Sequence, residues 1–342
     1  MTKVTLKDIA RESGYSVTTV SRALGGFNDV NEQTRAHIMR IARELGYQPN
    51  LIARQLQSRR TFTIGMVIPA SERCEEDDFF ATLLKGVTYT AAQHHYDVLV
   101  SGQLPDMDEM DAYRTLVGGN RVDGMIVART QRNDRRIRYL KQVGHPFVVA
   151  GRSSPDEDSD FPYIDADSQE GIARLVAHFV AYGHTEIGLI LPPEDVAYTA
   201  YRHEGYKQGL AAAGLPYRES YVAYGDLQRS GGYQAALDLL ARNPAITAII
   251  ACNDLMAFGV MQAIHDRGLR IGEDVAVGGF DDIPAARHTI PPLTTVRQPI
   301  CEIGGQLTEM LLQIIEGQPP ARRQIMVAPE LIIRESSGKP RR

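Results

Sequence analysis

The chain has 342 residues, 43% of them hydrophobic and 23% charged, with a formal net charge of −5. Such a length favours more than one domain, and the composition is that of a soluble globular protein rather than a disordered, fibrous or membrane-embedded one. The three cysteines, Cys74, Cys252 and Cys301, are too scattered for a disulfide framework or a CxxC metal site, and they read as reduced thiols.

Met1–Asp8 has no apolar core of the kind a signal peptide needs, and apolar runs such as 64–70 and 245–252 are far too short to span a bilayer. A cytoplasmic protein without membrane contact is therefore expected. The charge is unevenly spread: residues 1–60 carry ten Lys and Arg against five Asp and Glu, a local +5 that leaves −10 on the remainder. A basic head on an acidic body assigns a polyanionic partner to the head.

In chain order, Thr5 and Asp8 have the spacing of a capping box ahead of an apolar stripe at Leu6, Ile9 and Ala10. Gly14 supplies the positive φ of a tight turn. Ser16 can cap a second short helix with Val20, Ala23 and Leu24 inward and Val17, Thr18, Ser21 and Arg22 outward. A third helix follows Asn31, with Ile38, Ile41, Ala42 and Leu45 inward and Gly46 as its stop. Two short helices joined by a glycine turn, the second polar and basic outside, form a helix-turn-helix whose second helix suits the DNA major groove. Arg22 can donate two hydrogen bonds to guanine O6 and N7; Ser16, Thr18 and Ser21 can reach phosphates or base edges; Val17 can touch a thymine methyl. A small helical bundle with a polar surface fits the same pattern.

After Pro49, residues 50–58 have helical spacing, with Leu51, Ile52 and Leu56 apolar and the small Ala53 between them. So short a helix is marginal in water and should order only when packed. A plain basic linker around Arg54, Arg59 and Arg60 is the alternative.

The strings Val4-Thr5-Leu6-Lys7-Asp8-Ile9-Ala10 and Gly14-Tyr15-Ser16-Val17-Thr18-Thr19-Val20-Ser21-Arg22-Ala23-Leu24 resemble the lac repressor/purine repressor (LacI) family. So do Val30-Asn31-Glu32-Gln33-Thr34-Arg35 and Leu45-Gly46-Tyr47-Gln48-Pro49-Asn50. The resemblance implies a DNA-binding domain over 1–48 and a hinge helix over 49–60. It implies that Val17, Thr18 and Arg22 read bases, and it adds Thr5, Asn31, Tyr47 and Asn50 to the DNA-binding residues. In the family two hinge helices pack together in the minor groove and wedge a leucine into the central base step, which kinks the duplex. Leu56 takes that position, and Ala53 permits close helix approach. Tyr15, where a smaller aliphatic is usual, and Gly25-Gly26, where an Asn often follows, depart from the pattern.

From Thr61 the pattern alternates. Strands are expected at 63–68, 97–101, 122–128, 146–150, 186–191, 220–224, 245–251 and 275–280. Helices are expected at 79–94, 108–118, 134–143, 168–182, 200–213, 231–242 and 254–267. Repeated strand–helix units imply parallel sheets, and the length favours two lobes. Ligands in such sheets lie beyond the carboxyl ends of the strands, in a cleft that closes by hinge motion.

Five further blocks resemble the family: 178–187, Tyr201-Arg202-His203-Glu204-Gly205-Tyr206, Ala251-Cys252-Asn253-Asp254, Val277-Gly278-Gly279-Phe280-Asp281-Asp282-Ile283, and 291–299. The implied fold is an N-terminal all-α helix-turn-helix headpiece plus an α/β periplasmic-binding-protein-like (type I) two-lobed effector domain over 61–335. Lobe one is expected at 61–162 and 294–325, lobe two at 163–291 and 326–335, and a disordered tail at 336–342. By position Arg202, Asn253 and Asp281 hold effector hydroxyls, a sugar-type set. Phe79 or Phe80 can stack on a pyranose face. Arg152, with Asp77, Asp78, Arg129, Asp165 and Asp167, forms a second rank of candidates. Leu227 stands where some relatives place a stacking aromatic, so phosphorylated sugars, sugar acids, nucleosides and purines stay open.

No GxSxG, P-loop, GxGxxG after the first strand or HExxH is present, and no enzyme, cofactor or metal is expected. A free-standing solute-binding protein, or a regulator that senses a protein partner, is the alternative. A two-fold homodimer on a near-palindromic double-stranded DNA operator is expected, most simply as a repressor. Contacts through lobe one, including 300–317, should hold the dimer, and the tail has no leucine heptads for a tetramer.

Overall fold

The computed structural model describes residues 4–25, 29–47, 60–69, 78–104 and 107–338. The expectations at Asn50, Ala53, Leu56 and Asp77 lie outside these residues. The chain divides into two compact units, 1–60 and 61–342.

In the first unit, α1 (Leu6–Ser13), α2 (Val17–Leu24) and α3 (Glu32–Glu44) each begin on a polar cap. The Thr5 backbone N–H and hydroxyl both donate to Asp8, at 2.9 and 2.7 Å. Ser16 Oγ accepts from Thr19 N at 3.1 Å, and Asn31 Oδ1 accepts from Thr34 N at 2.8 Å. Caps of this kind each contribute about 1 kcal/mol. Gly14, at φ 73°, takes the left-handed turn that ends α1. Ile9, Val20, Ala23, Ile38, Ile41 and Ala42 form the core, with Leu24, Leu45 and Tyr47 packed at its margin.

The second unit holds two sheets. Lobe one begins with β1 (Thr63–Pro69), α4 (Asp78–Gln93), β2 (Asp97–Gln103), α5 (Glu109–Gly118) and β3 (Gly124–Ala128). It continues with α6 (Arg135–Val143), β4 (Phe147–Ala150) and β5 (Tyr163–Ala166). Lobe two contains α7 (Ser168–Ala181), β6 (Ile187–Leu191), α8 (Tyr198–Ala212), β7 (Val222–Tyr224) and α9 (Arg229–Arg242). There follow β8 (Ala248–Ala251), α10 (Asp254–Asp266), β9 (Ala276–Asp281) and β10 (Thr294–Arg297). The chain then returns through α11 (Ile300–Ile315) and β11 (Gln324–Val327) before closing lobe two with β12 (Glu330–Ile332). The strand orders are β11-β5-β4-β3-β1-β2 and β12-β10-β9-β8-β6-β7. The pairings within both sheets are parallel except β10 with β12. Strands such as Gly124–Ala128 and Ile187–Leu191 are buried throughout, as helices on both faces require.

The lobe boundaries differ from the expected ones. Tyr163–Ala166 pairs with β4 and β11 and so belongs to the first sheet, whereas Thr294–Arg297 lies beside β9 in the second. The chain crosses after Ala166, after Arg297, and between Val327 and Glu330. These strands span four residues or fewer, too few to show a period, and only their partners reveal their sheet.

The expected disorder from 336 is also corrected as far as Gly338. Ser336 and Ser337 are fully buried in lobe two. Ser336 Oγ accepts from Thr294 N and donates to Val277 O, each at 2.7 Å. Ser337 Oγ lies 2.8 Å from His178 Nε2, and the Gly338 carbonyl lies 2.9 Å from His184 Nε2. Burial holds both imidazoles below the ordinary histidine range. Ser336→Ala leaves the Thr294 N–H without its acceptor and should cost about 1–3 kcal/mol in denaturant unfolding. An unchanged midpoint and slope would show that the clip carries no stability.

Candidate functional site

Two regions concentrate functional side chains. On the first unit, Ser16, Val17, Thr18 and Arg22 are exposed along one side of α2, and Ser21 is half-buried. Val17 is 42% exposed and so is open to contact from outside the bundle. The Arg22 guanidinium makes an ion pair with Asp29, both side chains being about half exposed. Ser16 and Asn31 use their side-chain oxygens as caps, so they position helices as well as face outward. Tyr15 is exposed and meets His37 edge-on, with ring centroids 6.1 Å apart.

On the second unit, the carboxyl ends of the strands converge on a cleft between the lobes. Lobe one lines it with Phe79, Arg129, Gly151, Asp165, Ile300 and Ile303. Lobe two adds Ser168, Tyr198, Arg202, Leu227, Asn253, Leu255, Asp281 and Ile283, and Gln298 sits at a crossing. Apolar walls with few fixed polar groups are what a small-molecule site requires.

Arg202 is the best fixed of these groups. Only 4% exposed, it lies between two rings, 3.9 Å from the Phe280 centroid and 4.3 Å from that of Tyr198. One Nη donates to the Cys252 carbonyl. Its Nε has no hydrogen-bond acceptor among the described residues, and neither does the buried Ser168 hydroxyl have a partner. Buried polar atoms are nearly always paired, so two such atoms in one cleft point to a polar ligand.

Asp281 is aimed by strain and by a buried acid. Asp281 and Asp282 have φ of 115° and 54°, which non-glycine residues rarely adopt. Fully buried Asp254 fixes this turn by accepting from Ile283 N (2.9 Å) and Thr295 Oγ1 (2.5 Å). Burial pushes the Asp254 pKa well above the usual carboxylate range. Asp282 accepts from Arg297 and Arg334, at 2.7 and 2.6 Å. Gln298 Nε2 donates to Asp281 Oδ1 at 2.5 Å.

The structure thus brings Phe79, Arg202, Leu227, Asn253 and Asp281 together, with Arg129 and Asp165 beside them. It separates the other expected residues. Phe80 is 4% exposed in the core of lobe one beneath Arg129, because it lies on the inward face of α4. Arg152 does not line the cleft: it pairs with Asp165 at 3.0 Å and stacks on Tyr201 at 3.7 Å. Asp167 caps α7 by accepting from Glu170 N. Asn253 caps α10 and donates to the Leu227 carbonyl at 2.9 Å, so much of its side chain serves the fold. Ser168, Tyr198 and Gln298 were not expected. Tyr198 stands one helical turn before Arg202, a spacing that places both on one face.

One edge of the cleft is already joined across the lobes. Arg132 N donates to Asp195 O at 2.7 Å and Ala197 N donates to Thr130 O at 2.9 Å. The Tyr201 hydroxyl donates to Ser153 O at 3.0 Å.

Burial pushes Asp165 up to about 6, against the pull of Arg152 and Arg202. Its ordinary value is 3.8. The folded protein therefore keeps a proton that the unfolded chain has lost. That contribution is complete below pH 3.8 and is lost as pH rises through 6. Asp165→Asn should remove about 3 kcal/mol of this decline from the stability–pH profile. Superimposable slopes for variant and parent would refute it.

Residues 5–50 match bacterial regulatory proteins of the lacI family, and residues 176–337 match a periplasmic binding protein-like domain. The HTH-type transcriptional regulator CelR of Thermobifida fusca is 32% identical over 97% of this chain and 98% of its own length. A solved CelR–cellobiose complex aligns with a TM-score of 0.76 at 30% identity, covering 98% of this chain and 100% of that one. The lac repressor dimer bound to operator and the anti-inducer ONPF aligns with a TM-score of 0.82 at 27% identity, covering 98% and 99%.

Proposed function

The chain belongs to the LacI family of bacterial regulatory proteins and is a DNA-binding transcription regulator; on that premise we propose that it is a cytoplasmic repressor whose operator affinity is set by an uncharged sugar in the interlobe cleft. The observation that carries the sugar reading is the pair of unpartnered polar atoms, Arg202 Nε and Ser168 Oγ, in walls otherwise built from Phe79, Tyr198, Leu227, Leu255, Ile283 and Ile300. A pyranose offers both hydroxyls for the first and C–H faces for the second. Two guanidiniums (Arg129, Arg202) face two carboxylates (Asp165, Asp281) in the lining, a balance that suits an uncharged ligand. Phe79 and Tyr198 supply the rings that Leu227 does not. The relative solved with cellobiose supports the same class of effector.

The outward face of α2 is the proposed reader, with Val17, Thr18 and Arg22 toward base edges and Thr5, Ser16, Ser21, Asn31 and Tyr47 supporting it. The operator-bound lac repressor dimer supports a homodimer on a near-palindromic site. Tyr89, Val100, Leu104 and Met107, exposed on lobe one, offer apolar surface for the second copy. The outward residues of α11, including Glu302, Gln306, Glu309 and Gln313, are polar, so that helix contributes less than α4 and β2. The cleft is read as a receptor without catalysis, because Asp165 and Asp281 are tied to Arg152 and Gln298.

A thermal-shift panel of mono- and disaccharides, cellobiose included, with nucleosides and sugar phosphates as comparators, tests the effector. A sugar that binds only the folded state raises the melting temperature, and Arg202→Ala should abolish that rise. A response to nucleosides or phosphates alone would overturn the sugar reading. Selection of inverted-repeat duplexes from a random pool tests the reader. Arg22→Ala should relax one base position per half-site, a loss of about 1–3 kcal/mol in discrimination. A sequence preference identical to the parent's would remove Arg22 from direct readout.

A further inference from the structure

The first residues of the body form a junction that neither the cleft nor the reading face uses. Asp123, immediately before β3, points its carboxylate at this junction. Oδ1 accepts from Thr61 N at 2.6 Å and from Thr61 Oγ1 at 2.9 Å, and Oδ2 accepts from Phe62 N at 2.8 Å. Three donors from two consecutive residues thus meet one carboxyl group.

The backbone confirms that something holds this turn. Phe62 has a φ of 52°, an outlier for a bulky side chain. Such strain persists only where the surroundings over-determine it. The Phe62 carbonyl accepts from Asp97 N at 2.8 Å, and its ring meets Tyr96 edge-on at 5.6 Å. Thr63 O accepts from Asp123 N at 2.8 Å, and Thr63 Oγ1 donates back to Thr61 O at 3.1 Å. Residues 61–63 are thereby fixed in direction from both sides.

Position in the fold gives this staple a second meaning. Asp123 adjoins the amino end of β3, and the carboxyl end of the same strand leads directly into Arg129, which lines the cleft. One short buried strand therefore touches the candidate effector site at one end and the chain's entry point at the other.

We propose that Asp123 is a positioning residue for operator recognition, fixing the direction in which the chain leaves lobe one toward the DNA-binding unit. This rests on the regulator function given above. It requires no contact between Asp123 and either DNA or sugar.

The test uses the full chain as parent, Asp123→Asn and Thr61→Val, with thermal melting as the control for folding. Amide hydrogen exchange is followed at residues 61 and 62, and affinity is measured for an inverted-repeat duplex selected by the parent and for a random duplex. Asp123→Asn replaces one acceptor oxygen with a donor, so the three bonds cannot all survive. Exchange protection at 61 and 62 should fall, and affinity for the selected duplex should fall about tenfold, with random-duplex affinity unchanged. Thr61→Val loses only the hydroxyl bond and should show the same pattern with a smaller loss; it decides the matter if Asp123→Asn does not fold. Lost protection with parental affinity for the selected duplex would overturn the proposal, as would an equal loss on both duplexes. Free exchange at 61 and 62 in the parent would show that the staple does not form. A parent that selects no duplex would instead sink the regulator function itself.

Discussion

The body is governed by a constraint of connectivity: its two sheets are joined by three passages of chain, after Ala166, after Arg297 and between Val327 and Glu330. Everything else that holds the lobes is noncovalent and can be remade. Because the parallel strands point their carboxyl ends at the same gap, each loop that follows a strand must face it. The cleft is thus a consequence of topology before it is a consequence of any side chain. Motion about a few connecting residues is the cheap deformation of such a body, since the close-packed interiors of the lobes resist change.

Within that frame the polar groups differ in what they do. Asp254 and Asp282 are buried supports that hold a strained turn, and the turn presents Asp281. Arg202 is held by two rings and a carbonyl, and its Nε has no acceptor among the described residues. A ligand that satisfies this donor can shift the body between states only by as much as it binds them unequally. The useful quantity is therefore the difference that closure makes to such contacts, not their number.

Much of this was legible in the sequence where the information is local. Caps, a glycine turn and apolar stripes placed α1 to α3, because those features act within a few residues. Long alternating segments placed most strands and helices of the body for the same reason. Legibility failed where structure depends on distant partners. The three- and four-residue strands β5, β10, β11 and β12 carry no period, so their sheet could not be assigned from pattern, and all three lobe boundaries moved as a result. Ser336 and Ser337 look like a polar tail until Thr294, Val277 and His178 are seen to meet them. Phe79 and Phe80 are adjacent and chemically identical; only the inward direction of α4 decides which one faces the cleft. Ser168 announced nothing, since an unpartnered hydroxyl is visible only once its surroundings are known.

The bonds that join Thr130 and Arg132 to Ala197 and Asp195 run between main-chain groups. Every non-proline residue carries the same amide and carbonyl, so substitution of the side chains leaves this seam largely untouched. A lineage can rewrite Phe79, Tyr198 or Leu227 to suit a new nutrient without retuning the force that shuts the two halves. Diversification of taste is separated from preservation of the seam, and a receptor built this way can be repurposed one pocket residue at a time.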